Sequence, residues 1–184
     1  SIASVPANQT TVMLALDVSG SMCQTDIQPS RLEAAKAATR RFIESQDSQT
    51  QIGIVAFAGF AELVQPPIAD QETLQAVVDS LVTARHTAIG SGILEAIDAI
   101  AAIDPNVAPS TSTLASEIPP TPVPAGAYVP AIIVVLTDGV ATRGVPPIEA
   151  AHQAADRGIR VYTIGFGTAN PGSGWAANCR SGFP

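Results

Sequence analysis

Basic residues are scarce in this chain. There are 9 Lys and Arg against 16 Asp and Glu, a net charge of −7, and Lys36 is the one lysine. No basic stripe breaks the acidic excess, so binding to a phosphate backbone, which needs clustered cations, is excluded. Long apolar runs are also missing. The longest, Ala131 to Leu136, has strand length, far short of the roughly 20 residues of a membrane-spanning helix. Ser1 to Thr10 is polar, with no basic start and no hydrophobic core. It does not read as a signal peptide, and the chain is expected to be a mature product or an excised domain. There is no Gly-x-Ser-x-Gly elbow, and His152 falls in a predicted helix, so no Ser nucleophile has a readable His partner. Gly90-Ser91-Gly92 lacks the third glycine of a dinucleotide loop, since Glu95 stands there, and it follows a loop rather than a strand.

What is present is a core. The chain has 184 residues, 46% of them apolar, enough for one packed domain. Strand-like and helix-like segments alternate. Thr11 to Leu16 is a short apolar run. Ser30 to Ser45 has helical spacing, and Ser30 with Glu33 fits a capping box. Gln51 to Ala58 and Ala61 to Gln65 read as a hairpin turning at Gly59, with Pro66-Pro67 expected to stop its second strand. Asp70 caps a helix carrying Leu74, Val77, Val78 and Leu81; a loop, Thr83 to Thr87, leads to another carrying Ile89, Ile93, Leu94, Ile97 and Ile100. Ala131 to Leu136 is a strand buried on both faces. A helix runs from Pro146-Pro147 to Arg157, with Gly158 as its stop, and Ile159 to Ile164 is the last strand.

This alternation predicts an α/β fold: a Rossmann-like three-layer sandwich, its sheet mostly parallel with one antiparallel edge strand and helices on both faces. The expected organisation is an extension over 1–10, a domain over 11–167 and an irregular tail over 168–184. Residues 104–130, rich in Pro, Ser, Thr and Ala, form an inserted loop.

Ligands of such sheets gather outside the carboxyl ends of the strands. Three loops leave those ends with oxygen ligands: Asp17-Val18-Ser19-Gly20-Ser21, the loop carrying Thr87, and Thr137-Asp138-Gly139. Hard oxygen donors without His or Cys suit Mg²⁺, Mn²⁺ or Ca²⁺ rather than zinc or copper. Taken singly, each has an ordinary explanation: Ser19, Gly20 and Ser21 as turn residues, Asp17 as a helix cap, Asp138-Gly139 as a turn, Thr87 as an N-cap. His86 reads as a polar loop residue, and Asp26 and Asp156 as cap or surface groups.

Asp-x-Ser-x-Ser after the first strand, a later loop Thr and Thr-Asp-Gly after the fourth strand resemble the von Willebrand factor type A domain. Arg31-Leu32-Glu33-Ala34-Ala35-Lys36, Gly53 to Gly59, Thr87-Ala88-Ile89-Gly90 and Arg160 to Gly165 are similar to its bacterial membrane-anchored, Bat-type members. The resemblance runs from about Thr11 to Gly167. It implies a metal-ion-dependent adhesion site made of Asp17, Ser19, Ser21, Thr87 and Asp138, holding Mg²⁺ (or Mn²⁺ or Ca²⁺). It further implies a non-enzymatic module whose protein partner supplies an Asp or Glu to the open coordination position.

Two other readings stand beside this one: a metal-assisted hydrolase, and a scaffold domain with a structural metal. Against the hydrolase, the first loop holds no second reactive carboxylate or general base. A Gly/Pro-rich tail follows Gly165, so the family's last strand and helix are expected either to lie beyond these residues or to be replaced by that tail. In that fold, Cys23 and the tail carrying Cys179 share one rim, so a disulfide between them is expected. It would close a loop worth on the order of 5 kcal/mol in the chain-entropy model. A bridge and a Pro/Thr-rich loop together point to an extracytoplasmic setting, as a soluble domain of a membrane-anchored protein.

Overall fold

A computed structural model describes residues 10–111, 120–170 and 172–177. Five strands form one sheet: β1 (Thr11–Asp17), β2 (Gln51–Phe57), β3 (Ala61–Ile68), β4 (Ala131–Thr137) and β5 (Arg160–Gly165). Their order is β3-β2-β1-β4-β5, all parallel except the β2–β3 pair. Four helices complete the fold: α1 (Arg31–Ser45), α2 (Gln71–Ser80), α3 (Ile89–Ala101) and α4 (Pro147–Asp156).

β1 lies at the centre because both of its faces are apolar. Val12, Leu14 and Leu16 pack with Leu32, Ala35 and Ile43 of α1 and Leu74 and Val78 of α2. Met13 and Ala15 point the other way, towards Ile93 and Ile97 of α3 and Ala150 and Ala154 of α4. The period of two along the strand thus feeds two cores, which makes the three layers.

Helix starts follow local chemistry. Ser30 Oγ accepts a hydrogen bond from the Glu33 N–H at 3.2 Å, and Asp70 caps α2 through the Thr73 N–H at 3.1 Å. One expectation fails. Pro66-Pro67 does not end β3, which continues to Ile68. Ile54 pairs with Gln65 and Ile52 with Ile68, so three steps of β3 span two of β2. This bulge, on an edge strand, accommodates residues that cannot donate to the ladder.

The described arms of the 104–130 segment lie along α4 and the start of β5. Arg157, 4% exposed, donates to the carbonyls of Ala108, Gln153 and Pro109. Val123 N–H donates to Asp156 O and Val129 N–H to Gly158 O. Pro130 O accepts from Thr11 N–H, so the segment rejoins the sheet where β1 begins, at the end opposite Asp17.

Candidate metal centre

Asp17 is the last residue of β1, paired with Phe57 of β2, and is fully buried. The chain beyond it turns sharply. Ser19 N–H donates to Asp17 Oδ1 at 2.8 Å, and Gly20–Cys23 winds into a short 3₁₀ turn where the sequence suggested only a loop. That turn brings the Ser19 and Ser21 hydroxyls within 3.1 Å of each other. Ser21 Oγ in turn donates to Asp138 Oδ1 at 2.8 Å, across from the end of β4. Asp17, Ser19, Ser21 and Asp138 therefore form one connected oxygen cluster.

Thr87, 7% exposed, sits on the adjoining loop. Ala84 N–H donates to Val18 O at 2.7 Å, and Ala84 bridges Ser19, which ties this loop to the first. Thr87 O accepts from the N–H groups of Thr142 and Arg143, which ties it to the loop after β4. The loop fits closely against the β2–β3 turn. A Cβ on Gly59 would lie 2.9 Å from Arg85 O and 3.1 Å from His86 Cβ. His86 is an exposed loop residue, as read from the sequence, with a left-handed backbone (φ 64). That conformation is open to His at a modest cost.

Three further groups complete the site, and local pattern does not reveal their roles. Thr137 Oγ1 donates to Asp17 Oδ2 at 2.6 Å, so both oxygens of the buried carboxylate are engaged. Arg31, the first residue of α1, reaches Asp138 Oδ2 through Nη1 at 2.7 Å. Its Nε and Nη2 grip Asp26 at 2.7 and 2.8 Å. Asp26, read as a cap or surface group, is instead the bidentate partner of this guanidinium. Its Oδ2 also accepts from Thr168 N–H at 2.9 Å and Thr168 Oγ1 at 3.0 Å. One partial signal existed: a cation in the first turn of a helix opposes the macrodipole and calls for an acidic partner, without saying which.

Burial pushes the Asp17 carboxyl above its ordinary range, although hydrogen bonds from Ser19 and Thr137 pull the other way. Arg31 holds the Asp26 carboxyl well below that range, with Thr168 assisting. Asp26, followed by Asp138, raises the Arg31 guanidinium.

The donor set fits a hard divalent cation. Its carboxylates number two and its remaining side-chain donors are hydroxyls; among the described residues no three His, Cys, Asp or Glu side chains converge. A fully buried aspartate whose charged form is disfavoured by burial gains from a cation beside it. Asp138, Thr137 and Arg31 border an open cleft of about 950 Å³ that also takes in Val140, Phe166 and Thr168. Gln24 borders it too, and its buried Oε1 has no hydrogen-bond donor among the described residues. A hydrated ion or a partner N–H satisfies such an acceptor.

Fold and site together define an α/β domain with an oxygen-ligand cluster at the carboxyl rim of its parallel strands. The von Willebrand factor type A domain profile matches residues 12–140, and the chain belongs to that family. It is 37% identical over 178 residues to the UPF0353 protein of Nocardia farcinica, covering 91% of this chain and 48% of the relative. It is 35% identical over 170 residues to the UPF0353 protein of Mycobacterium sp. strain KMS, covering 89% and 46%. The chain thus spans about half the length of these relatives.

Among solved structures, an aerotolerance-related membrane protein of Bacteroides fragilis superposes with a TM-score of 0.68 at 28% identity, covering 93% of this chain and 76% of that one. BatB of Bacteroides thetaiotaomicron does so at 0.63 and 30%, covering 85% and 66%. The expected resemblance to the family and to its Bat-type members therefore stands. Domains of this family typically serve as protein-interaction modules. No helix among the described residues is long and apolar enough to cross a membrane.

Proposed function

We propose that this domain binds a protein partner through a divalent cation held by Asp17, Ser19, Ser21, Thr87 and Asp138. The carrying observation is the hydrogen-bonded oxygen cluster of Asp17, Ser19, Ser21 and Asp138 at the edge of an open cleft. When bound, Mg²⁺ (or Mn²⁺ or Ca²⁺) supplies an electrophilic position for an Asp or Glu of the partner. The protein's own part is to aim its oxygens. Thr137 and the Ser19 N–H fix Asp17, and Ser21 and Arg31 fix Asp138 from opposite sides. A binding role is the typical use of domains in this family, and the Ser19 and Ser21 hydroxyls are engaged with each other and with Asp138.

Unfolding with Mg²⁺, Mn²⁺, Ca²⁺ or chelator tests the metal. At 100 times its Kd the ion adds about 2.7 kcal/mol of stability. The gain is expected in the parent, and to be lost in Asp17→Ala and reduced in Thr87→Ala. No gain in the parent overturns the proposal. A gain without carboxylate-dependent partner binding moves the reading to a structural metal, and turnover of phosphoesters to a hydrolase.

We further propose a Cys23–Cys179 disulfide and an extracytoplasmic setting. Cys179 lies outside the described residues, but the tail leading to it is tied to the first loop. Thr25 N–H donates to Gly174 O at 3.1 Å, Gln24 bridges Trp175 in antiparallel fashion, and Ala176 N–H donates to Cys23 O at 3.0 Å. Intact-mass measurement without reductant is expected to find a species two hydrogens lighter than the reduced chain. Complete alkylation of both thiols, in protein from an oxidising compartment, overturns the bridge.

A further inference from the structure

Arg31 is an unusual neighbour for a cation site. The residue is 5% exposed, its guanidinium holds Asp138 Oδ2 at 2.7 Å, and its other edge is locked onto Asp26. Thr168 fixes Asp26 from the far side. A Cβ on Gly167 would approach Arg31 Cζ to 3.3 Å, so the chain leaving β5 presses on the guanidinium as well. Asp26 and Asp138 thus share one protein cation in a shielded space, with the Asp17 carboxylate near Asp138. A site relying on the metal alone would leave these carboxylates repelling one another whenever the metal was absent. This one carries a partial substitute.

We infer that Arg31 is the built-in counter-ion of the metal site. It holds Asp138 aimed at Ser21 before the ion arrives, and it weakens cation binding by competing for the same carboxylate. The inference rests on the metal reading above. It assigns to Arg31 a positioning role and a tuning role: the site stays assembled when empty and holds its ion reversibly. Asp26 sets the balance, because it draws part of the guanidinium's charge away from Asp138.

Opposite substitutions then shift affinity in opposite directions. Arg31→Gln removes a positive charge close to the ion and is expected to tighten Mg²⁺ and Mn²⁺ binding about tenfold or more, while lowering the melting temperature in chelator. Arg31→Lys keeps the charge and is expected to stay near the parent affinity. Asp26→Asn leaves the guanidinium to Asp138 alone and is expected to weaken binding about tenfold.

Isothermal titration of the full chain with MgCl₂ and MnCl₂, alongside melting in chelator, reads all three. An Arg31→Gln protein that folds only with Mg²⁺ present supports the inference. If it folds under neither condition, Asp26→Asn decides. Unchanged or weaker affinity in Arg31→Gln, or tighter affinity in Asp26→Asn, overturns the counter-ion role while leaving the metal site standing. No cation binding by the parent instead removes the metal reading itself.

Discussion

Phe57→Ala is expected to lower the free energy of unfolding by about 3–5 kcal/mol. Phe57 is fully buried at the end of β2, opposite Asp17 in the register. Its ring fills the space that Gly92 leaves on α3, where an added Cβ would come within 2.7 Å of the ring. Neither neighbour can collapse into the void. Gly92 has no side chain, and the backbone of Phe57 is committed to Val18, whose N–H it accepts at 2.8 Å. The cost is therefore the lost transfer energy plus an unrelaxed cavity. Urea unfolding in chelator measures it free of any contribution from the ion. A loss below about 1.5 kcal/mol, the size of a conservative core swap, would show that α3 can close on β2.

Gly90→Ala is expected to cost about 3 kcal/mol and to blunt the cation response as well. A Cβ there would sit 2.0 Å from the Val145 carbonyl oxygen, in a range where real Cβ atoms are essentially never found below 3.0 Å. The obstacle is backbone, not a flexible side chain, so the start of α3 and the loop entering α4 have to separate. Those segments flank Thr87, whose carbonyl holds Thr142 and Arg143. Gly139→Ala is the matched control. Nothing lies within 4 Å of a Cβ at that position, although it adjoins Asp138, and its effect on stability is expected to stay within about 0.5 kcal/mol. Equal stability of the two variants, by urea unfolding with and without Mg²⁺, would refute the packing argument.

Gly90 and Gly92 also show what kind of information the chain displays openly. As a string, Gly90-Ser91-Gly92 imitates part of a nucleotide loop; in the fold, the two glycines admit Val145 and Phe57. β1 and β4 are legible because an unbroken apolar run admits little but a strand buried on both faces. The three-layer order follows from their alternation with helices. The residues of the oxygen cluster are legible because each follows the carboxyl end of a strand, where sheet topology must gather them. β3 beyond Gln65 is not, because a bulge on an edge strand is a tertiary solution to a local prohibition. Nor are the links from Asp26 through Arg31 to Asp138. Arg31 and Asp138 are 107 residues apart, and nothing in either neighbourhood announces the other until α1 and β4 are in place.

The two edges of the sheet have unequal chemistry. On β3, Pro66 and Pro67 interrupt the donors and a bulge bends the strand away from flatness, the means by which edge strands are kept from recruiting partners. β5 has neither defence. It runs through Arg160-Val161-Tyr162-Thr163-Ile164-Gly165 without a proline, pairs only with β4 among the described residues, and leaves Tyr162 and Ile164 nearly half exposed. Among the described residues, the sheet is thus guarded at β3 and open at β5, so an added strand would meet proline and a bulge at one edge and an unbroken ladder at the other.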